Sequence, residues 1–212
     1  MSTVKEIIPE KVIVPVVTLA SPAGAVPLAE TLLAAGIPVV EITLRAGNAM
    51  EAVRSIRESC PGMIAGIGTV LNEDQVGLAA EAGAAFVVSP GFTQRLAESA
   101  LRQRVPYLPG VSTVSEIMMA AEFEFDLLKF YPARLMGGVP ALRQFATLFP
   151  DLAFCPTGGL DEQNSVEFLR LDNVHCIGAS WPVPAALVDA ADWEGIARLA
   201  RRAADCTSEV RR

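Results

Sequence analysis

Of the three lysines in the chain, Lys129 alone lies away from the N-terminus, inside the apolar run Leu127-Leu128-Lys129-Phe130-Tyr131-Pro132. Apart from Lys5, Lys11 and His175, every other basic side chain is an Arg. An amine at this position points to chemistry that a guanidinium cannot do. A low-dielectric strand disfavours an ammonium relative to the free amine, and a free amine adds to a carbonyl to form a Schiff base. The alternative is a strand Lys that snorkels to the sheet edge or pairs with a buried carboxylate. Glu41 offers such a carboxylate in the equally apolar Val39-Val40-Glu41-Ile42-Thr43-Leu44. A buried Glu is costly unless paired, and both Lys129 and Arg45 are candidate partners. Glu41 reads as a general acid and base that moves protons to and from a carbinolamine and an enamine, or as half of a structural ion pair. Arg45 stands where the strand gives way to the loop at Gly47. Its forked donors suit a carboxylate, although a solvated loop Arg has the same sequence signature. Thr69 ends Gly66-Ile67-Gly68-Thr69, whose glycines let another group approach the backbone. Its hydroxyl could bond the same carboxylate or cap the next turn.

Positioning these groups requires a large core. The 212 residues suit a single domain over 1–212, since no linker-like stretch divides them. Hydrophobic residues at 51% and charged residues at 19% exclude a disordered chain. A net charge of -7 without a basic stripe argues against nucleic acid as a partner, while leaving room for a small anion held by local Arg and backbone amides. Cys60, Cys155, Cys176 and Cys206 show no metal-site spacing and His175 is the only His, so no metal is expected. The start of the chain lacks the apolar core of a signal peptide, and no apolar run is long enough to span a membrane. A cytoplasmic protein is expected.

Hydrophobic periodicity alternates short β-branched runs with Ala-rich amphipathic stretches. Strands are expected at 13–18, 39–44, 64–70, 86–90, 107–111, 127–131, 153–157 and 175–180, after a short N-terminal helical segment. Helices are expected at 26–35, 49–59, 74–82, 93–104, 115–122, 139–149, 163–171 and 192–203. Asn72, Thr93 and Ser112 stand at N-cap positions, and Gly36 and Gly83 where helices need a left-handed residue to end. Eight such units in a chain this short predict an α/β fold, a single (β/α)8 TIM barrel, with a doubly wound open sheet as the alternative. In a barrel the chemistry gathers at the C-terminal strand ends. Those ends carry Glu41, Thr43, Arg45, Thr69, Ser89, Ser112, Thr113, Lys129, Thr157, Gly158, Gly159 and Ser180. The glycines at 158, 159 and 178 follow the last two strands, where barrels often bind phosphate through backbone N–H groups. His175, at the opposite end, reads as structural, and Cys155 and Cys176 as core fillers.

Taken together, Val40-Glu41-Ile42-Thr43-Leu44-Arg45, Gly66-Ile67-Gly68-Thr69-Val70-Leu71, Val88-Ser89-Pro90-Gly91, Pro109-Gly110-Val111-Ser112-Thr113, Leu128-Lys129-Phe130-Tyr131-Pro132-Ala133, Pro156-Thr157-Gly158-Gly159 and Gly178-Ala179-Ser180-Trp181 resemble the 2-keto-3-deoxy-6-phosphogluconate (KDPG) and 4-hydroxy-2-oxoglutarate (KHG) aldolase family. They span nearly the whole chain in the family's order. The resemblance implies a class I aldolase that needs no metal or other cofactor, in a homotrimer of (β/α)8 subunits acting on a 2-keto acid or sugar phosphate. By the same resemblance, Lys129 forms the Schiff base and Glu41 shuttles protons. Arg45 and Thr69 hold the pyruvate carboxylate beside Pro90, and Gly158, Gly159 and Ser180 bind the phosphate, with Tyr131 and Thr157 also contacting substrate. Two positions depart from the family pattern: Tyr131 stands where Phe is frequent and Ala179 where Gly is frequent, and the extra methyl of Ala179 would crowd the phosphate loop. KHG and the galactonate-type epimer of KDPG are alternative substrates, and a non-catalytic sugar-phosphate-binding barrel is the alternative of a different class.

Overall fold

The apolar runs fold into nine short strands in a computed structural model that describes residues 3–210. They are β1 (Ile13–Val17), β2 (Val39–Thr43), β3 (Ile64–Gly68), β4 (Val87–Val88), β5 (Tyr107–Leu108), β6 (Gly110–Val111), β7 (Leu127–Phe130), β8 (Ala153–Phe154) and β9 (Ile177–Ala179). All the paired strands run parallel. Every residue of β2 and of β7 is buried, as continuous apolar runs covered on both faces require. One hydrogen-bonded sheet has the order β5-β4-β3-β2-β1-β9 and a second the order β6-β7-β8. The expected single ladder of eight strands is thus divided in the structure, and the sheet is a curled parallel one.

The division falls at Pro109. The expected strand 107–111 is broken there into β5 and β6, because Pro lacks the N–H that would continue the ladder. Its carbonyl still accepts from Lys129 N at 2.8 Å. On the other side, Gly178 N donates to Pro156 O at 3.0 Å and His175 N to Phe154 O at 2.9 Å. Most strands are also shorter than their apolar runs, because burial continues past the last ladder hydrogen bond.

Between the strands lie α2 (Ala25–Ala34), α3 (Ala49–Ser59), α4 (Glu73–Ala82), α5 (Gln94–Gln103), α6 (Val114–Ala121), α7 (Gly138–Leu148), α8 (Glu162–Leu169), α9 (Ala185–Asp189) and α10 (Trp193–Val210), after a single-turn α1 (Val4–Ile7). Asn72 and Thr93 cap α4 and α5 as expected. Ser112 does not cap α6: Thr113 does, because Glu116 stands three residues after it and completes a capping box. Ser112 instead donates to Tyr131 O at 2.6 Å, tying the loop after β6 to the end of β7. Gly36 and Gly83 adopt φ of 83° and 76°, the left-handed geometry expected of them. Helix α10 runs to Val210, beyond the expected end at 203, since Ile196, Ala200, Ala203 and Thr207 form one continuous buried face.

Two apolar clusters flank the sheet. The larger joins strand residues to the inward faces of α2 to α10. The smaller holds Val14, Val39, Phe86, Val88, Leu108, Leu127, Ala153, Cys155 and Cys176, with Val4 of α1 and Ile8 closing one end. Helices α2 to α10 all pack on the larger cluster and only the single turn α1 on the smaller, which argues against the doubly wound alternative, where helices cover both faces. At the closed end His175, 5% exposed, has Nε2 2.7 Å from Ile8 O, the structural role expected of it. Among the described residues no helix is long and apolar enough to cross a membrane.

Candidate active site

Strands β2 and β7 aim their single charged residues at one another across the inner face. Lys129 Nζ lies 3.1 Å from Glu41 Oε1 and 3.3 Å from Oε2, and the residues are only 5% and 3% exposed. The Tyr131 ring centroid is 5.6 Å from Nζ, so a π face flanks the amine. The parallel register sets Glu41 opposite Val16 on β1 and Gly66 on β3, with Gly110 opposite Lys129.

On the far side of Tyr131 lies a cavity of about 180 Å³, whose wall includes neither Lys129 nor Glu41. Arg45, Tyr131, Thr157, Gly158, Gly159 and Ser180 all lie on its wall. Arg45 therefore shares one chamber with both loops expected to bind phosphate. Gly158 and Gly159 have φ of 98° and 77°, conformations that side chains resist. Gly178 permits the close approach of these loops, since a Cβ there would lie 2.4 Å from Thr157 Oγ1. Ala179 is buried, lies on the cavity wall and packs in the larger apolar cluster.

Thr69 and Pro90 stand apart from this cavity wall. Thr69 is half-buried with φ of 61°, a strained conformation for a β-branched residue of the kind that concentrates at functional sites. Pro90 is held by a relay. Ser89 Oγ donates to Gly91 O at 2.6 Å, which leaves the Tyr107 hydroxyl, also at 2.6 Å, to donate to Ser89. Burial pushes the Tyr107 phenol up to about 12, so that donor stays protonated. Gly110 completes the support, because a Cβ there would fall 2.3 Å from the Pro90 carbonyl carbon.

Two features escape a reading of single strands. Thr18, just past β1, meets Thr43 with hydroxyl oxygens 2.7 Å apart, and both line the cavity. Asking what the end of the first strand contributes would have found Thr18. Cys155 fills the core as expected, yet lies within electrostatic reach of Lys129 and Glu41, and its thiol is hydrogen-bonded to that of Cys176. That hydrogen bond, with burial, drives the Cys176 thiol up.

Residues 4–199 match the model of the KDPG and KHG aldolase family. The chain belongs to this family. The KHG/KDPG aldolase of Escherichia coli K12 is 44% identical over 193 residues, covering 91% of each chain. The 2-dehydro-3-deoxy-phosphogluconate aldolase of Pseudomonas aeruginosa is 42% identical over 200 residues, or 94% of this chain and 91% of that one. Among solved structures, a Legionella pneumophila KDPG aldolase with pyruvate captured as a covalent carbinolamine superposes with a TM-score of 0.91 at 36% identity, covering 94% of this chain and 97% of that one. The Zymomonas mobilis KDPG aldolase with 3-phosphoglycerate gives a TM-score of 0.85 at 40% identity, covering 90% of each chain.

Proposed function

We propose that this chain is a class I aldolase that cleaves KDPG to pyruvate and glyceraldehyde 3-phosphate through an imine at Lys129. The contact between Lys129 and Glu41 carries this reading, because an amine and a proton carrier meet there inside an apolar wall. Lys129 Nζ adds to the C2 ketone, giving a carbinolamine. Glu41 supplies the proton with which the C2 hydroxyl leaves as water, and the nitrogen lone pair forms the iminium. Glu41 then takes the C4 hydroxyl proton. The C3–C4 bond breaks, its electron pair becomes the enamine C=C, and the iminium π pair returns to nitrogen. Protonation at C3 and hydrolysis free pyruvate and the amine.

In this reading Arg45 and Thr69 hold the carboxylate beside Pro90, while the Gly158 and Gly159 N–H groups and Ser180 hold the phosphate, with Tyr131 and Thr157 also touching substrate. Because Arg45 shares the chamber with the phosphate loops, its assignment needs its own test. Arg45→Ala is expected to raise the half-saturating pyruvate concentration for borohydride trapping by about 10-fold or more, the loss of a charge-assisted pair. Inhibition by inorganic phosphate should stay unchanged. The reverse pattern would move Arg45 to the phosphate end.

The main test is reduction with borohydride in the presence of pyruvate, followed by mass spectrometry. A pyruvyl adduct on Lys129 is expected, and its absence would remove the imine mechanism. Specificity constants for KDPG, its galactonate-type epimer and KHG then rank the substrates, KDPG being expected first. A non-catalytic binder would have no use for a buried amine paired with a carboxylate.

The same reading takes the fold as one (β/α)8 barrel domain, in which β5 and β6 are one strand interrupted at Pro109. The hydrogen bonds from β7 to Pro109 and from Gly178 to Pro156 support closure. It also takes the protein as a cytoplasmic homotrimer. Exposed apolar side chains support assembly, among them Leu71, Met118 and Leu135 at 60%, 57% and 84% exposure. Light scattering is expected to give roughly three times the 22.4 kDa chain mass, and a monomeric mass would refute the trimer.

A further inference from the structure

Glu41 reaches Lys129 through space that position 68 leaves empty. In the register of β2 and β3, Glu41 lies opposite Gly66 and Thr43 opposite Gly68. The Glu41 side chain leans from its own level toward the next residue pair up the sheet. A Cβ at Gly68 would fall 2.1 Å from Glu41 Oε1, 2.6 Å from Cγ and 2.7 Å from Cδ. The carboxylate thus occupies the volume that any other residue type would fill at 68.

The backbone itself does not require glycine here. Gly68 is a regular strand residue and is not among the glycines with positive φ. Its missing side chain therefore serves Glu41 and not the path of the chain. Gly66 plays a different part, since a Cβ there would strike the Phe86 ring at 2.3 Å. Around Gly68 there is little slack: Ile67 and Val70 are fully buried and Glu41 is 3% exposed. A methyl at 68 would drive the carboxylate down among the interior apolar groups or up toward the cavity, and both directions take it from Nζ.

We propose that Gly68 is a positioning residue for the proton shuttle, setting the Glu41 carboxylate against Lys129 by leaving its volume free. The proposal rests on the aldolase reading of that pair. The step it affects is enamine formation from the pyruvate iminium: the C3 proton passes to the Glu41 carboxylate, the C–H electron pair forms the C=C bond, and the iminium π pair settles on nitrogen. The same proton movement is read directly by deuterium exchange into the pyruvate methyl group in heavy water.

Gly68→Ala is expected to slow that exchange by about 100-fold or more, the usual scale of a misplaced general base. Borohydride should still trap pyruvate on Lys129, because the amine stays in place. In a Glu41→Ala background the clash is gone, so adding Gly68→Ala should leave the residual exchange rate unchanged. Wild-type exchange in Gly68→Ala, or the same loss in both backgrounds, overturns the proposal. Should Gly68→Ala alone fail to fold, the double variant is expected to recover a native circular dichroism spectrum, and failure of both overturns it as well. Absence of an adduct in the unmodified enzyme would instead condemn the aldolase reading, so the two failures appear in different arms.

Discussion

Lys129→Met is expected to lower kcat/KM for KDPG cleavage by about 10⁵-fold or more, the scale on which loss of a covalent nucleophile is felt. No pyruvyl adduct should form, while a phosphate ester should still bind when followed by calorimetry, because the glycine loops are untouched. Met keeps the length and apolar stem of Lys, so shape is preserved. It also leaves Glu41 buried without its partner, and breaking a buried pair in this way costs about 3–5 kcal/mol. Chemical denaturation should therefore report a loss of stability. Combining Lys129→Met with Glu41→Gln should regain part of that stability with no return of activity. Cleavage within about 100-fold of the unmodified enzyme would exclude Lys129 as nucleophile, whatever the stability.

Glu41→Gln is expected to be the second largest effect, lowering kcat by about 10²- to 10⁴-fold as removal of a general acid and base does. The amide keeps the shape of the carboxylate and can still accept a hydrogen bond from Lys129, so the fold and slow adduct formation should persist. Single-turnover trapping then separates the steps: the adduct appears more slowly than in the unmodified enzyme, and C–C cleavage lags further behind. Turnover equal to that of the unmodified enzyme would remove Glu41 from the mechanism. Both variants act on one buried pair, so their effects on catalysis should be far from additive.

Much of this arrangement could be read from the chain, and the reasons are physical. Glu41 and Lys129 stand out because charges inside fully apolar runs are costly and need a partner, and the structure places them 3.1 Å apart. Helices could be placed because their ends carry local chemistry: Asn72, Thr93, Gly36 and Gly83 act where their types predict. Ser112 is the exception, since two capping residues stand side by side and only the Glu116 side chain selects Thr113. Apolar patterning overshoots the strand ends because it reports burial, whereas a ladder ends where its partner backbone turns away. Thr69 could be named as a candidate, but its positive φ could not be foreseen from a β-branched residue.

What the amino-acid order determined by itself was the alternation of elements, the identity of the buried charged pair and the resemblance that names the family. Those depend on local patterns and on burial cost, which one residue and its neighbours reveal. The tertiary structure alone decided that Arg45 shares a chamber with Gly158, Gly159 and Ser180, that Tyr107 and Ser89 brace the loop at Pro90, and that Gly68 yields its volume to Glu41. These relations join residues far apart in the chain, and they exist only once curling and register have fixed how the strands face one another.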